Sequence, residues 1–365
     1  MNPLNIVFFV NNLDSGGIEN YLLRFLKEKH KFFGSIYIYC KSGKGGQLEE
    51  EYLKFSNITI IKKKLGYFDF NGYRELKEFL ILNNISVICD FMGNFSGLSL
   101  RTAYKAKVNK RVAFYRGSTD RFKKGILRNS YNNLSKYLVK RYSTDILSNS
   151  KAALNYFFPK YWEDNIKFDV VSNGINAATF LSENKNLRKE FGIPDSAFVV
   201  GHTGRYNEAK NHTVIISVAE KLVSDYDDIY FILCGNGVKD NLSYELDIKG
   251  LTDKILLFEN RTDISEFLNT MDCYFFPSLT EGQPNALIEA MIVGLPYVAS
   301  NIDPIKETVF DLENLHDPND IDSFYESLKA MYHKKPQKQL EIQRKAIEKF
   351  DFNKCFNHFY TRLSE

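Results

Sequence analysis

The sequence predicts an α/β protein of two doubly wound domains facing a cleft, and three observations predict it. Short apolar runs alternate with helically spaced ones along the chain, the pattern of parallel sheets crossed over by helices. The alternation runs through two cycles of similar length. The 365 residues suffice for two domains, each with a core of its own.

The first cycle opens on Asn5–Val10, read as a buried strand from its run Ile6–Val10. A polar turn, Asn11–Gly17, follows. Ile18, Tyr21, Leu22, Phe25 and Leu26 then fall at i, i+3, i+4, i+7 and i+8, one face of a helix. Ser35–Cys40, Ile58–Ile61, Val87–Cys89, Arg111–Tyr115 and Asp145–Leu147 are the next strands expected. The second cycle is expected to begin at Phe168–Val171. It continues with Ala197–His202, Ile229–Leu233, Ile255–Phe258, Cys273–Phe276 and Pro296–Ala299. Polar residues with Gly and Pro mark a linker over 173–195. Both domains read as Rossmann-like, and such open sheets bind ligands beyond the carboxyl ends of their strands.

Composition narrows the class. Hydrophobic residues at 44% and charged residues at 25% are ordinary for a soluble globular chain. No apolar run reaches about 18 residues, the length that suggests a membrane span. The N-terminus lacks a basic region before its apolar run, so it reads as a first strand and not as a signal peptide. Cys40, Cys89, Cys234, Cys273 and Cys355 are scattered and odd in number, which fits free thiols in a reducing cytoplasm. The histidines show no ligand spacing, and Asp225-x-Asp227 precedes a strand, the wrong sheet edge for a cleft. No metal is therefore expected. Net charge is +3, unevenly placed: Arg101–Arg141 holds thirteen Lys/Arg against the single acid Asp120. Phe122, Ile126, Leu127, Tyr131, Leu134, Tyr137 and Leu138 interleave with these cations, a mixture that suits a peripheral helix on anionic lipid. A solvated basic face is the equal alternative. No nucleic-acid-binding module is recognised.

Three segments that follow strands carry chemistry. In Phe276–Gly294, Glu281 and Gly282 lie in a turn, and Pro284 suits the first position of a helix. That helix start presents N–H groups and a positive dipole end to a phosphate. Glu289, about one turn in, can accept hydrogen bonds from a ribose diol, while Glu281 would sit nearer a transferred group. In Val199–His212, Gly204 permits close backbone approach, and Arg205 and Lys210 can converge on one diphosphate. Asn11–Asn20 carries Gly16 and Gly17, again suited to phosphate or sugar, but lacks the G-x-G-x-x-G of dinucleotide sites. Gly235-Asn236-Gly237 fails that pattern as well.

On these residues the chain resembles family 4 of the retaining GT-B glycosyltransferases, of the bacterial surface-polysaccharide type. The resemblance rests on Gly16–Gly17, on Ser172-Asn173-Gly174-Ile175-Asn176, on Gly204, Arg205, Lys210 and Asn211, and on the Pro277–Pro296 signature. It implies an N-terminal acceptor domain (1–172), a C-terminal nucleotide-sugar domain (173–345) and a terminal helix (346–365) crossing back. It implies that Arg205 and Lys210 bind the donor diphosphate, that Glu281 contacts the donor sugar and that Glu289 holds the ribose. Gly282, Gln283, Pro284 and Asn285 line the sugar and phosphates, and Asn260 and Arg261 lie where the base is held. The family's N-domain His is absent; Arg116 or Ser118 is expected to take over acceptor or sugar contacts. The implied reaction moves a hexose or N-acetylhexosamine from a nucleoside diphosphate, UDP first among them, to a glycan or lipid-linked glycan. The implied setting is capsule, O-antigen or exopolysaccharide synthesis at the inner face of the plasma membrane. A nucleotide-sugar 2-epimerase and a non-catalytic nucleotide-sugar-binding subunit are the alternatives.

Overall fold

The structure is a computed structural model, which describes residues 3–66, 69–118, 126–181 and 185–365, the side chains of 126–131 excepted. Part of the basic stretch 101–141, including Phe122, therefore lies outside the described residues. The chain forms two compact units: Met1–Gly174 together with Phe352–Glu365, and Ile175–Asp351.

In the first unit seven parallel strands form one sheet: β1 (Leu4–Val10), β2 (Phe33–Cys40), β3 (Ile58–Lys62), β4 (Val87–Asp90), β5 (Lys110–Tyr115), β6 (Asp145–Ser148) and β7 (Phe168–Val170). Their order is β3-β2-β1-β4-β5-β6-β7. The winding reverses between β1 and β4, the signature of a doubly wound sheet. Period-two geometry explains why β1 is apolar from Ile6 to Val10. Ile6, Phe8 and Val10 enter the core on one face of the sheet, while Val7 and Phe9 enter the core on the other. Helix Phe352–Ser364 closes the first of these cores: Phe356 and Phe359 pack their rings 5.8 and 4.7 Å from that of Phe25, and Phe359 lies 5.2 Å from Phe114.

The second unit repeats the plan with six strands: β8 (Phe198–Thr203), β9 (Ile229–Cys234), β10 (Ile255–Phe258), β11 (Cys273–Phe276), β12 (Tyr297–Ser300) and β13 (Leu315–His316). Their order is β10-β9-β8-β11-β12-β13. The same alternation sends Val199, Tyr274 and Phe276 into one core and Phe198, Val200 and Phe275 into the other. Gly294, with φ of +83°, stops helix Asn285–Val293 in the left-handed region that only glycine adopts without strain.

Three sequence expectations change. Phe168–Val171 does not open the second cycle; β7 pairs parallel with β6, Ile146 opposite Phe168, and ends the first sheet. The expected linker 173–195 is largely structure of the second unit. Leu187 and Ile193 are buried in its core, and Arg188 donates to the carbonyls of Asp195 and Ala197 and pairs with Asp272 at 2.6 Å. The terminal segment separates after Asp351 and not at 346, because helix Leu340–Lys349 packs on helix Asn285–Val293 and buries Ala346 in the second unit.

Candidate functional site

The winding of the second sheet reverses between β8 and β11, so the loops leaving these two strands open at the switch point, beyond their carboxyl ends. These loops are Gly204–Asn211 and Pro277–Pro284. They are tied together: Leu279 N–H donates to the Ala209 carbonyl at 2.8 Å. Asn211, with φ of +59°, turns its amide into both the Pro277 carbonyl (3.1 Å) and the Pro318 carbonyl (2.7 Å). Few residues besides Asn and Gly accept that backbone conformation, and Asn adds the anchoring donor.

A pocket at this edge is lined by Gly204, Arg205, Asn260, Asn285 and Glu289, bringing together five of the expected residues. It also takes in Gly235 and Asn236, which the sequence reading set aside. Their place follows from close packing. A Cβ on Gly235 would stand 2.1 Å from the Gly204 carbonyl oxygen, so only glycine lets the β8 and β9 turns touch.

Lys210 and Glu281 meet directly: the ammonium donates to Glu281 Oε1 at 2.5 Å and lies 4.6 Å from the Phe276 ring centre, with the two side chains 17% and 12% exposed. Arg205 is exposed at the pocket wall. Helix Asn285–Val293 begins beside them with no side-chain cap; Pro284 sits at the cap and not at the first helical position, one residue before the expected start. Gly282 and Gln283 connect Glu281 to this helix start.

A second helix N-terminus nearby shows the contrast. Helix Val238–Ile248 follows the Gly235–Gly237 turn, where a dinucleotide fold would seat a phosphate. Here the Glu259 carboxylate fills it, accepting from the N–H groups of Gly237 (2.8 Å), Lys239 (2.9 Å) and Asp240 (3.3 Å).

Beneath the β8 loop lie His202 and His212, rings 5.3 Å apart. Burial, then the positive Lys210, pushes the His212 imidazole down to about 4. Burial, then His212, holds His202 well below its ordinary range. Both rings are therefore neutral near pH 7, and Lys210 gains no cationic neighbour from them.

Other expected residues are placed differently. Arg261 turns its guanidinium onto Asp263, at 2.9 and 2.6 Å, and not into the pocket; that hydrogen bond raises its already high pKa. Gly16 caps, and Gly17 begins, helix Gly17–Lys29 after β1 in the first unit; a Cβ on Gly17 would meet nothing within 4 Å. Arg116 follows β5, its guanidinium 3.8 Å from the centre of the Tyr21 ring and its Nη1 buried with no partner. Burial lowers its pKa to about 10, an effect the neighbouring Tyr21 opposes. Ser118 is buried. Asp225, of the Asp-x-Asp match before β9, accepts from the Tyr325 hydroxyl at 2.5 Å. Among the described residues no three His, Cys, Asp or Glu cluster as a metal site, and no helix is long and apolar enough to cross a membrane. All five cysteines are buried and unbridged.

A further hollow in the first unit is lined by Lys110, Asp145, Lys167 and Arg362. It sits at the amino ends of β5 and β6. Lys110 (3.0 Å) and Arg362 (2.5 Å) are both spent on Asp145, so this hollow is an ion-paired seam for the terminal helix and not a ligand edge.

Residues 183–349 match the family model described as "Glycosyl transferases group 1". The chain is 27% identical over 329 residues to the capsular polysaccharide biosynthesis glycosyltransferase CapH of Staphylococcus aureus, covering 85% of this chain and 87% of that protein. It is 33% identical over 176 residues, 45% of each chain, to the UDP-Gal:alpha-D-GlcNAc-diphosphoundecaprenol alpha-1,3-galactosyltransferase of Escherichia coli. Anabaena HepE crystallised with UDP-glucose superposes with a TM-score of 0.80 at 18% identity over 99% of both chains. A glycosyltransferase from Rickettsia africae gives 0.81 at 19% identity, over 99% of this chain and 98% of that one. The two Rossmann-like units are thus the fold of solved GT-B glycosyltransferases, and the match to the glycosyl transferases group 1 model falls on the second unit.

Proposed function

We propose that this protein transfers a hexose or N-acetylhexosamine, with retention at the anomeric carbon, from a UDP-sugar to a glycan or lipid-linked glycan acceptor in bacterial surface-polysaccharide synthesis. The observation that carries the proposal is the meeting of Arg205, Asn285, Glu289 and the Lys210–Glu281 pair at one switch point. UDP is favoured because the E. coli relative is named for a UDP-galactose donor and HepE was crystallised with UDP-glucose. The polysaccharide setting follows from the names of CapH and of that galactosyltransferase.

In this mechanism Glu289 accepts from the ribose hydroxyls, while Arg205, Lys210 and the N–H groups at Asn285 hold the diphosphate. As the bond from the anomeric carbon to the diphosphate oxygen breaks, the added negative charge falls on that oxygen, where the two cations and the helix dipole are already aimed. The acceptor hydroxyl attacks from the same face. Its oxygen bonds to the anomeric carbon and its proton passes to the departing diphosphate. These groups supply the charge that a divalent metal provides elsewhere, so the reaction is metal-independent, and turnover survives a chelator. Arg116, a desolvated cation at the carboxyl edge of the first unit, contacts the acceptor or the sugar. Leu134 and Tyr137, both exposed among the cations of helix Ile126–Tyr142, support a peripheral site on the anionic inner leaflet.

The test is to incubate the protein with a panel of nucleotide sugars and undecaprenyl-diphosphate-linked acceptors and to read product configuration by NMR. An α-linked product from an α-linked donor agrees with the proposal. An inverted product, or an epimerised free sugar without acceptor, rejects it.

A further inference from the structure

The Lys210–Glu281 pair poses a problem for the proposed reaction, on which this inference rests. The cation that should hold the leaving diphosphate is already held by a carboxylate, at 2.5 Å and in a site where both side chains are largely shielded from water. The loops that carry them are tied together: Leu279 is bonded to Ala209, and Asn211 is bonded to Pro277 and Pro318, which holds the Lys210 and Glu281 backbones close to each other. The Phe276 ring, 4.6 Å from the ammonium, offers a further favourable contact but no counter-charge. Any diphosphate on Lys210 therefore comes to rest beside the Glu281 carboxylate.

We infer that Glu281 competes with the diphosphate for Lys210, and that this competition makes the site select the intact donor over the nucleoside diphosphate product. Two elementary facts give the sign. A sugar-bearing diphosphate is a diester with one negative charge on each phosphate, whereas the released diphosphate ends in a phosphate that carries close to one more. The carboxylate thus repels the product more than the donor. The donor also brings sugar hydroxyls, which donate to Glu281 and replace the ammonium as its partner; the product brings none. Once the sugar has left and the proton taken from the acceptor has passed on to solvent, Glu281 has lost its hydroxyl donors and the phosphate beside it carries close to one more negative charge. It takes Lys210 back and drives the product out. Glu281 is then more than a sugar contact: it sets the ratio of donor to product affinity and shortens the residence of the product.

Isothermal titration of the full chain with UDP, GDP, UDP-glucose and GDP-glucose tests this, using wild type, Glu281→Gln, Lys210→Gln and the double variant. Gln keeps the size and a carbonyl acceptor but removes the charge. With the base that wild type accepts, E281Q is expected to bind the nucleoside diphosphate on the order of fivefold or more tightly than wild type, a typical coupling between two ligands of one group. The same variant binds the nucleotide sugar no better, so the donor-to-product ratio falls. The gain is lost in the double variant, because it acts through Lys210. K210Q alone should lose the nucleoside diphosphate by a larger factor than the nucleotide sugar, which provides a second reading should E281Q fail to fold. E281Q weakening the diphosphate, or changing both ligands by one factor, overturns this inference and leaves the proposed function intact. Wild type that binds none of the four probes rejects the proposed donor class and this inference with it.

Discussion

Both units wind their sheets in the same order around a first strand, yet their carboxyl edges are finished differently. Behind β2 of the first unit, Lys41 pairs with Asp90 at 2.5 Å and donates to Ser99 Oγ at 3.2 Å and the Phe95 carbonyl at 3.3 Å. Asp90 in turn accepts from the Ser99 hydroxyl and the Met92 N–H. Lys41 is 9% exposed and Asp90 fully buried, so the fold has consumed both charges. In the second unit Lys210 has one carboxylate partner, Glu281, and Arg205, on the same loop, stands exposed and lines the pocket. A cation after a strand therefore stands in two different settings. In the first unit it is saturated by its own fold and locks loops together; in the second it has one carboxylate partner at a switch point, the setting in which the proposed function places an anion.

The largest expected effect breaks the second edge. Arg205→Ala with Lys210→Ala should lower donor turnover by about 10³-fold or more, since removing one such charge-stabilising donor costs about 10²–10³-fold. Removing Lys210 also strands the largely shielded Glu281 carboxylate and lowers the melting temperature, so turnover is compared where both proteins are fully folded. Near-normal release of nucleoside diphosphate from the double variant would reject the assignment of this edge. The matching change in the first unit should act in the opposite sense. Lys41→Met strands a buried carboxylate and should cost about 3–5 kcal/mol of stability, read by urea titration, with UDP affinity unchanged. A Lys41→Met chain of normal stability but weakened nucleotide binding would erase the distinction between the edges.

The same distinction decided what could be read in the sequence. The second edge was legible because each of its roles needs a residue type within a short span: Gly204 with Arg205 and Lys210, Glu281 with Glu289. The first edge was not. Lys41 and Asp90 stand 49 residues apart, and no local pattern announces their pairing. Glu259 fills a helix start 22 residues before it in the chain, so the Gly235–Gly237 turn could be seen to fail the dinucleotide pattern but not why. Arg261 looked available only because Asp263 could not be known to turn back onto it. The stretch 185–195 looked like linker because it is polar, but the polarity of Arg188 is spent on carbonyls and on Asp272. Strand β13, two residues long, is too short to show any period.

A smaller effect comes from the histidines under the second edge. His212 titrates near 4 when folded and near the ordinary 6.5 when unfolded. Between these values the unfolded chain binds more protons, so stability rises with pH across the window and falls as pH drops from about 6.5 towards 4. For His212 alone the loss is on the order of 3 kcal/mol, and His202, shifted in the same direction, adds to it. Above about pH 6.5 the full stability is present. His212→Gln should flatten urea midpoints measured from pH 7 to pH 4.5; a slope identical to wild type would assign the acid sensitivity to other groups.

The smallest effect tests whether the protein's own Glu259 carboxylate closes a helix start of the second unit to an added anion. Helix Val238–Ile248 and helix Asn285–Val293 both begin after a glycine-containing turn that follows a strand of the second sheet. The first is closed by Glu259 and the second carries no side-chain cap. Glu259→Ala should cost about 1 kcal/mol of stability, the usual worth of a helix cap. It also uncovers the N–H groups of Gly237, Lys239 and Asp240 at a turn whose Gly235 and Asn236 line the pocket. Sulfate should then restore much of the lost stability in the variant while stabilising wild type less, because an anion bound only by the folded state shifts the unfolding equilibrium. If sulfate raises the melting temperature of both proteins equally, the Glu259 carboxylate is not what keeps an added anion from the Val238 helix start.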